Sequence, residues 1–443
     1  MRWFFYNLLF AVVYVAMVPG FVLRMRRRGG YRNRFADRFG RYPEEVAARL
    51  RETGGAVWVH AVSVGEVYVA GQVMRALRER LPGVRFVLST TSSTGWKEAE
   101  KLVSSEDVLI FNPLDFPACV ERAVRAIRPK AFILTESEIW PNVIRSCRRR
   151  GVPIFLVNAR VSDRSAPGYR RLRFWFGPVL RMFTAIQAQS ETDKARLVAA
   201  GADPQTVEVT GSFKFDVANR APEKERSVAA FLARHDAGRD RTVLLGGSTW
   251  PGEDAVLIGI YRRLRGRFPA LRLVLVPRHF EKADAVQAEI EKAGLACVRK
   301  SREDAAVGGG VASGGDAVVV GDTTGELMGF YGNADIVFVG KSLCEHGAQN
   351  MIEPCLCGAA TLVGPFTENF RPVMSDLLAA EALIQVPDAD SLEREIGRLA
   401  ADAEARRALG ERGAKAVQGR KGVVARCADA LARSILSDGG KRA

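Results

Sequence analysis

The sequence predicts an α/β protein with two Rossmann-like domains, each built on a parallel sheet. Its 443 residues exceed what one ordinary core holds, so two domains of about 200 residues each are expected. Short β-branched runs alternate with amphipathic helical segments, which is typical of βαβ units with helices on both faces of a sheet. An apolar content of 47% without low-complexity tracts is that of a folded chain.

The predicted strands form two series. The first comprises Ala56–Ala61, Arg85–Thr90, Asp107–Asn112, Ala131–Thr135, Ile154–Ala159, Ala185–Gln189 and Val207–Thr210. The second comprises Thr242–Gly246, Leu271–Val276, Ala296–Arg299, Ala317–Gly321, Asp335–Gly340, Thr361–Val363 and Leu383–Val386. Two sheets imply two facing domains, with a boundary near Phe215–Arg226, where Pro222 and polar residues interrupt the pattern. We therefore expect an N-terminal segment (1–30), a first domain (31–216) and a second domain (217–443) that a helical stretch from Asp388 onward closes.

The N-terminal segment is predicted to meet a membrane. Trp3–Leu23 is an almost unbroken apolar run, just long enough at about 1.5 Å per residue to cross a hydrocarbon core of about 30 Å. Pro19 and Gly20 leave open a helix that lies in the interface instead. A cleaved signal peptide fits less well, because the charge lies behind the apolar run. The basic residues that follow would keep the rest of the chain on the cytoplasmic side: Arg24, Arg26, Arg27, Arg28, Arg32 and Arg34.

The chain is strongly basic, with 65 Lys and Arg against 50 Asp and Glu, for a net charge of +15. This excess implies an anionic partner, which could be nucleic acid, an anionic membrane surface or a phosphorylated substrate. No recognition motif for nucleic acid is visible, so that partner is disfavoured. The seven cysteines and four histidines show neither CxxC nor HxxxH spacing, so we expect no disulfide framework and no protein-built metal site.

The stretch from Val57 to Glu66 reads as a strand, a tight turn and the first turn of a helix. Glu66 would then lie at the carboxyl end of a strand, which is where ligands bind in open α/β sheets. Gly65 gives the turn its backbone freedom and leaves Glu66 directed into the crevice. The alternative is purely structural, since the helix dipole favours a carboxylate in the first turn.

Further polar stretches follow other predicted strands. Two carboxylates, Glu136 and Glu138, come directly after a hydrophobic strand, and helix capping explains only one of them. Lys214 ends the last strand of the first domain, where its ammonium would face the cleft beside an anionic leaving group or lie solvated on the surface. In the second domain, Gly246–Trp250 is a weak candidate for a phosphate-approaching turn.

Three segments of the second domain carry groups suited to a nucleotide. Arg278 follows a strand and can fork onto a phosphate. A Gly-rich turn leads to a helix with Asn350 at its start, where backbone N–H groups can meet a phosphate. Glu353, one turn further, could accept both hydroxyls of a ribose.

Taken together, seven motifs resemble those of the lipid A 3-deoxy-D-manno-octulosonate (Kdo) transferases in order and spacing across nearly the whole chain. They are SVGE (Ser63–Glu66), TESEIWPN (Thr135–Asn142), NARVSDRS (Asn158–Ser165), TGSFKFD (Thr210–Asp216), VPRH (Val276–His279), GDTTGELM (Gly321–Met328) and QNMIEP (Gln349–Pro354). The resemblance implies a GT-B fold with an N-terminal membrane-associated helix. It also implies a metal-independent, inverting transfer of Kdo from CMP-Kdo to the lipid A precursor, without a cofactor, on the cytoplasmic face of the bacterial inner membrane.

The resemblance further implies roles for single residues. Glu66 would be the general base, and Glu136 and Lys214 would stabilise the transition state. The first domain would bind the acceptor. CMP would be held in the second domain by Pro277, Arg278, Thr324, Gly325, Glu326, Asn350, Met351, Ile352 and Glu353. Two positions depart from the family pattern: Gln349 stands where a His is common, and Lys341 stands in a usual Gly-Gly-Ser turn.

These residue types suit the reaction. A sugar hydroxyl has a very high pKa and needs a carboxylate base within hydrogen-bond reach. CMP leaves as a phosphate monoester, whose charge Arg278, Lys214 and backbone donors would meet. Because there is no diphosphate to bridge, a metal is dispensable.

The segment Tyr169–Phe176 is both basic and aromatic. Arg170, Arg171 and Arg173 could dock the phosphorylated headgroup of the acceptor at the bilayer surface, or lie on the charged outer face of a buried helix.

Rival functions are a GT-B enzyme with a UDP-sugar donor, a sugar epimerase of the same fold, and a membrane-tethered nucleic-acid-binding protein.

Overall fold

A computed structural model of the chain describes residues 2–28, 32–238, 240–305 and 317–439. The chain divides into two compact units. The first unit comprises Met1–Phe213 with Gly422–Ala443, and the second comprises Lys214–Lys421. The boundary therefore precedes Lys214, close to the predicted seam.

The elements of the first unit, in chain order, are α1 (Arg2–Arg28), α2 (Glu44–Glu52), β1 (Val57–His60), α3 (Val64–Arg80), β2 (Phe86–Thr90), α4 (Ser93–Ala99), β3 (Val108–Phe111), α5 (Pro117–Ile127), β4 (Ala131–Thr135), α6 (Pro141–Arg149), β5 (Ile154–Ala159), α7 (Ala166–Arg171), α8 (Arg173–Leu180), β6 (Ala185–Ala188), α9 (Glu191–Ala199) and β7 (Val207–Val209). The strands pair in parallel in the order β3-β2-β1-β4-β5-β6-β7. The order reverses between β1 and β4, so the carboxyl ends of these two strands flank the topological switch point.

Strand β1 shows why this sheet is covered on both faces. Val57 and Val59 pack into one apolar cluster with residues of α3, while Trp58 points the other way and packs against Phe132, with 4.4 Å between the ring centroids. All four residues of the strand are buried. A strand buried on both faces reads as a continuous apolar run, as expected for a parallel sheet.

The second unit contains α10 (Lys214–Val217), α11 (Pro222–Arg234), β8 (Thr242–Thr249), α12 (Glu253–Leu264), β9 (Leu271–Pro277), α13 (Ala283–Lys292), β10 (Cys297–Arg299), α14 (Lys300–Ala305), β11 (Val318–Val320), α15 (Leu327–Tyr331), β12 (Ile336–Val339), α16 (Ile352–Cys357), β13 (Ala360–Val363), α17 (Arg371–Ala379), β14 (Ile384–Gln385), α18 (Ala389–Ala401) and α19 (Ala403–Gly419). Its strands are also parallel, in the order β10-β11-β9-β8-β12-β13-β14. Here the switch point lies at the carboxyl ends of β8 and β12.

Every predicted strand overlaps an observed one, so the two-sheet α/β prediction is confirmed. The interpretation of Gly246–Trp250 as a phosphate-approaching turn is wrong, because β8 continues to Thr249. A side chain at Gly247 would lie 2.5 Å from the Tyr331 ring, and one at Gly246 would lie 2.6 Å from Leu257. These glycines are required for close packing.

The last helix, α20 (Val423–Gly439), corrects the prediction that the C-terminal stretch closes the second domain. It packs against α3, and its buried residues Val423, Cys427 and Leu431 join the same apolar cluster as α3. Arg80 on α3 donates to Asp429 on α20 at 2.5 Å. The four-residue spacing of these positions in the sequence indicates an apolar stripe on α20, but it does not indicate which other helix packs against that stripe.

The N-terminal helix α1 contains one window, Trp3–Gly20, that is long and apolar enough to cross a membrane by length and composition. The mean hydropathy of this window is 1.6. In the basic cluster predicted to follow it, the side chains of Arg24, Arg26, Arg27, Arg28 and Arg32 lie outside the part that the structure describes.

Candidate active site

Glu66 lies in the first turn of α3, directly after β1, as predicted. Its carboxylate accepts the Ser63 hydroxyl at 2.9 Å and the Val62 backbone N–H at 2.9 Å, while its own N–H donates to Ser63 Oγ at 3.3 Å. This reciprocal pattern is a variant of the capping box, in which the carboxylate accepts from the N-cap hydroxyl and from the backbone of the residue before the N-cap. Only 9% of Glu66 is exposed. Glu66 therefore has the structural role that the sequence allowed, at the start of α3. The same hydrogen bonds fix the direction of its carboxylate.

Glu136 lies at the end of β4, the neighbouring strand. Its φ of +56° and that of Asn158, +52°, place both residues in the left-handed region, which few side chains adopt without support. The Asn158 amide lies 3.5 Å from Glu136 Oε1, and Arg160 Nε lies 3.3 Å from Oε2. The carbonyl oxygen of the Asn158 amide accepts from the Phe213 N–H at 3.2 Å. Neither Asn158 nor Arg160 was a predicted site residue, although both lie in a motif that carried the resemblance.

Glu138 completes a group of three carboxylates at this edge of the sheet. Burial, together with the negative charges of Glu66 and Glu136, raises the pKa of Glu138 to about 7, although the hydrogen bond from the indole N–H of Trp140 at 3.0 Å opposes the shift. Thr135 Oγ1 lies 3.4 Å from Glu66 Oε2, so the end of β4 is in contact with the first turn of α3. The sequence pointed to Glu138 as an unexplained second carboxylate but assigned it no role.

Lys214 begins α10 and belongs to the second unit, so the interpretation that it ends the first domain is wrong. Its ammonium donates to the Asn369 carbonyl at 2.6 Å and lies 4.0 Å from the centroid of the Phe370 ring. These contacts hold a half-buried positive charge in a defined position.

The predicted nucleotide-binding residues follow β9, β11 and β12, whose carboxyl ends lie at the same edge of the second sheet. Arg278 is exposed, and its N–H donates to the Thr249 carbonyl at 3.0 Å, next to Pro277 at the end of β9. Thr324 and Gly325 are also exposed. Glu326 forms an ion pair with Lys300 at 3.2 Å.

The segment from Asn350 to Glu353 divides into ligand-accessible and buried side chains. Asn350 accepts the Ile352 N–H at 3.1 Å and donates to Glu353 Oε1 at 3.0 Å. Burial raises the pKa of Glu353, and the hydrogen bond from Asn350 partly offsets this shift. Met351 and Ile352 are fully buried in the core of the second unit, so their side chains serve packing and only their backbone is available.

Glu253 organises this edge of the second unit and was missed by sequence reasoning. Its fully buried carboxylate accepts the backbone N–H groups of Trp250, Lys341, Ser342 and Leu343 at 2.8 to 3.0 Å. Helix α12 thereby holds the loop after β12. The Lys341 ammonium in that loop lies 4.4 Å from the centroid of the Trp250 ring.

Within the described residues, no group of three or more His, Cys, Asp or Glu side chains is placed to hold a metal ion. Metal independence stays a prediction.

Comparison with known proteins decides the family. Residues 33–217 match the family described as 3-Deoxy-D-manno-octulosonic-acid transferase (kdotransferase). The 3-deoxy-D-manno-octulosonic acid transferase of Bordetella pertussis is 37% identical over 421 residues, covering 92% of this chain and 94% of that protein. This chain belongs to the Kdo transferase family. The Haemophilus influenzae enzyme of the same name is 30% identical over 402 residues, covering 90% of this chain and 91% of its own.

Solved structures support the fold of this Kdo transferase family member. A glycosyltransferase from Rickettsia africae aligns with a TM-score of 0.56 at 13% identity, over 86% of this chain and 99% of its own. A UDP-GlcNAc 2-epimerase from Neisseria meningitidis aligns with a TM-score of 0.54 at 12% identity, over 86% and 100% of the two chains. At such identities the likeness concerns the fold alone. The predicted GT-B fold and the glycosyltransferase class are confirmed.

The raised pKa of Glu138 in this Kdo transferase family member leads to a prediction about its stability. Replacing Glu138 with Gln should flatten the pH dependence of the free energy of unfolding. The folded-state pKa of Glu138, about 7, exceeds its ordinary value of 4.5, so the folded protein holds the proton more tightly. The resulting stabilisation is complete below pH 4.5 and is lost as the pH rises to about 7, by at most about 3 kcal/mol before solvent screening.

Urea unfolding at several pH values measures this difference. The Glu138→Gln variant should gain stability relative to wild type as the pH rises from 4.5 to 7, whereas the exposed Glu45→Gln control should follow wild type. A constant difference between the Glu138→Gln variant and wild type would contradict the prediction.

Proposed function

We propose that this Kdo transferase family member moves Kdo from CMP-Kdo to the lipid A precursor lipid IVA, with inversion and without a metal, and that Glu66 is the general base. The observation that carries the proposal is the carboxylate of Glu66 at the switch point of the first sheet, held by Val62 and Ser63. Oriented in this way, it can take the proton from an acceptor hydroxyl as that oxygen attacks the anomeric carbon. The bond from this carbon to the CMP phosphate breaks at the same time.

The other residues of the proposal follow from charge and position. Glu136, with Arg160 and Asn158 beside it, is proposed to stabilise the transition state from the first unit. In the second unit, Lys214 and Arg278 are proposed to offset the negative charge of the leaving phosphate. Asn350 and Glu353 are hydrogen-bonded to each other, and Glu353 is proposed to meet the ribose hydroxyls. Pro277, Thr324, Gly325 and Glu326 would complete the CMP site, with Met351 and Ile352 contributing backbone.

The reaction is best tested by mass spectrometry of lipid IVA after incubation with CMP-Kdo and the purified protein. Addition of one or more Kdo masses supports the proposal, and an unchanged acceptor contradicts it.

Thermal unfolding separates the donors, since a ligand that binds the folded state raises the melting temperature. CMP should raise it and UDP should not; the reverse would favour a UDP-sugar enzyme or epimerase.

The acceptor is proposed to dock at an anionic membrane surface, on the cytoplasmic face of the inner membrane. Arg170, Arg171 and Arg173 are all exposed, and so are the neighbouring apolar side chains of Leu172 and Phe174. Exposed apolar and cationic groups in one short stretch suit a phosphorylated lipid. The alternative of a charged outer face on a buried helix does not account for the exposure of Leu172 and Phe174.

Replacing Arg170, Arg171 and Arg173 together with Ser should raise the KM for lipid IVA about tenfold or more, because each lost charge weakens attraction to the phosphates. The KM for CMP-Kdo should stay within about twofold of wild type. Steady-state kinetics with each substrate varied in turn measure both values.

A matched variant removes the same number of charges from exposed sites elsewhere on the first unit: Arg75, Arg85 and Arg433. It should behave like wild type. Equal acceptor KM values for the two triple variants would reject a specific role for the segment.

A further inference from the structure

One face of α1 is fastened to the rest of the first unit. Tyr6 donates its hydroxyl to Asp115 Oδ2 at 2.6 Å, and Asn142 donates its amide to Asn7 Oδ1 at 2.7 Å. The Phe116 ring packs edge-on against two rings of α1, Phe10 at 5.0 Å and Tyr14 at 5.4 Å between centroids.

The attachment also reaches the start of the helix, where the Arg145 guanidinium lies 4.4 Å from the Trp3 ring. The contacts thus extend from Trp3 to Tyr14, which is about 16 Å of helix at a rise of about 1.5 Å per residue.

The polar partners of α1 are fixed parts of the unit. Asp115 is fully buried, and its two carboxylate oxygens accept the backbone N–H groups of Asn142 and Val143 at 3.0 Å, which caps α6. Asn142 itself is 5% exposed. The attached stretch of α1 therefore cannot enter a bilayer without taking these polar groups and the start of α6 with it.

The remaining apolar stretch is too short to span. After Tyr14, the apolar run continues for nine residues, from Val15 to Leu23, and Arg24 follows it. At about 1.5 Å per residue these cover about 14 Å, half of a hydrocarbon core of about 30 Å.

The opposite face of α1 is unpartnered and apolar. Its side chains are between 46% and 68% exposed, and they are Phe4, Phe5, Leu8, Leu9, Val12, Val13, Val15 and Met17. Beside this face lies a groove of about 320 Å³ that α1 shares with α8, lined by Leu9, Trp175 and Phe176 among others. Leu172, which also lines this groove, lies in the chain between the exposed Arg171 of α7 and the exposed Arg173 of α8. An apolar helix face bordered by cationic side chains is complementary to the surface of an anionic bilayer.

We propose that α1 is an interfacial helix, not a transmembrane anchor: it stays docked on the first unit and inserts its outer face into one leaflet of an anionic bilayer. Both ends of the chain are then on the same side of the membrane. This inference concerns topology and does not depend on the transferred sugar, so it can fail while the proposed reaction stands.

Protease accessibility of the full chain, carrying one epitope tag at each end, tests the topology. In sealed inverted inner-membrane vesicles both tags should be digested, and in spheroplasts both should be protected. A tag at the N-terminus that is digested only in spheroplasts would show a spanning helix and overturn the proposal.

Flotation with vesicles of phosphatidylethanolamine and phosphatidylglycerol in a 3:1 ratio tests the outer face. Replacing Phe5, Leu8 and Val12 with Ser should lower the vesicle-bound fraction at least tenfold with an unchanged melting temperature, because three exposed side chains lose their apolar contact with lipid. The control is Leu436→Ser, which replaces an exposed leucine of α20 and should float like wild type. Unchanged flotation of the triple variant would reject the outer face of α1 as the membrane contact.

Discussion

A Glu66→Gln variant is expected to lose about 10²- to 10⁴-fold in kcat while keeping its fold. Gln can still close the capping box with Ser63, because this position of the motif accepts Glu or Gln. The substitution therefore removes the base and leaves the start of α3 intact. Glu66→Ala removes both and should also cost about 1 kcal/mol of stability.

The two substitutions together separate catalysis from capping. Initial rates of transfer to lipid IVA, with melting temperatures measured on the same preparations, give both quantities. Glu191→Gln is a suitable control, because Glu191 is an exposed carboxylate in the first turn of α9 in the same unit. A Glu66→Gln variant that turns over at the wild-type rate would remove Glu66 from the mechanism.

A Glu253→Ala variant is expected to destabilise the second unit by about 3 kcal/mol or more, because four backbone N–H groups lose their acceptor inside the protein. Each carboxylate oxygen accepts two of these groups. Gln carries one oxygen and one NH₂ group. In either orientation of the amide, the NH₂ group would face two backbone N–H donors and could not accept from them. Glu253→Gln should therefore be nearly as damaging, although its shape is almost unchanged.

Urea unfolding with and without CMP measures this effect. The stabilisation by CMP should fall along with the free energy of unfolding, because the loop that Glu253 holds leads into the Asn350–Glu353 segment. Glu345→Gln, an exposed carboxylate of the same loop, should leave both quantities unchanged. Wild-type stability of Glu253→Gln would show that the loop does not need this acceptor.

The sequence predicted both sheets because their strands are buried on both faces and read as compact β-branched runs between helices. It also located Glu66 and Glu136, since a carboxylate directly after a strand is visible in one short window. It could not reveal Glu253 in the same way. A carboxylate in a first helical turn is ordinary, and three of the groups that Glu253 binds lie 88 to 90 residues further along the chain.

The other omissions have the same origin. Asn158 supports Glu136 from the neighbouring strand and has a left-handed backbone conformation, which no local sequence pattern predicts. The glycines at 246 and 247 looked like a phosphate loop because their real neighbours, Leu257 and Tyr331, come from other elements. Local patterns gave the elements and the residues at their ends, whereas contacts between distant segments appeared only in three dimensions.

The return of α20 to the first unit affects how the protein is made. The ribosome must synthesise the whole second unit before the helix that covers α3 emerges, so the apolar surface of α3 stays uncovered while the roughly 340 codons between Arg80 and Val423 are read. The second unit, by contrast, is a continuous segment and can mature as soon as it leaves the tunnel. A nascent chain that stalls late in translation would thus carry a finished second unit and an incomplete first one.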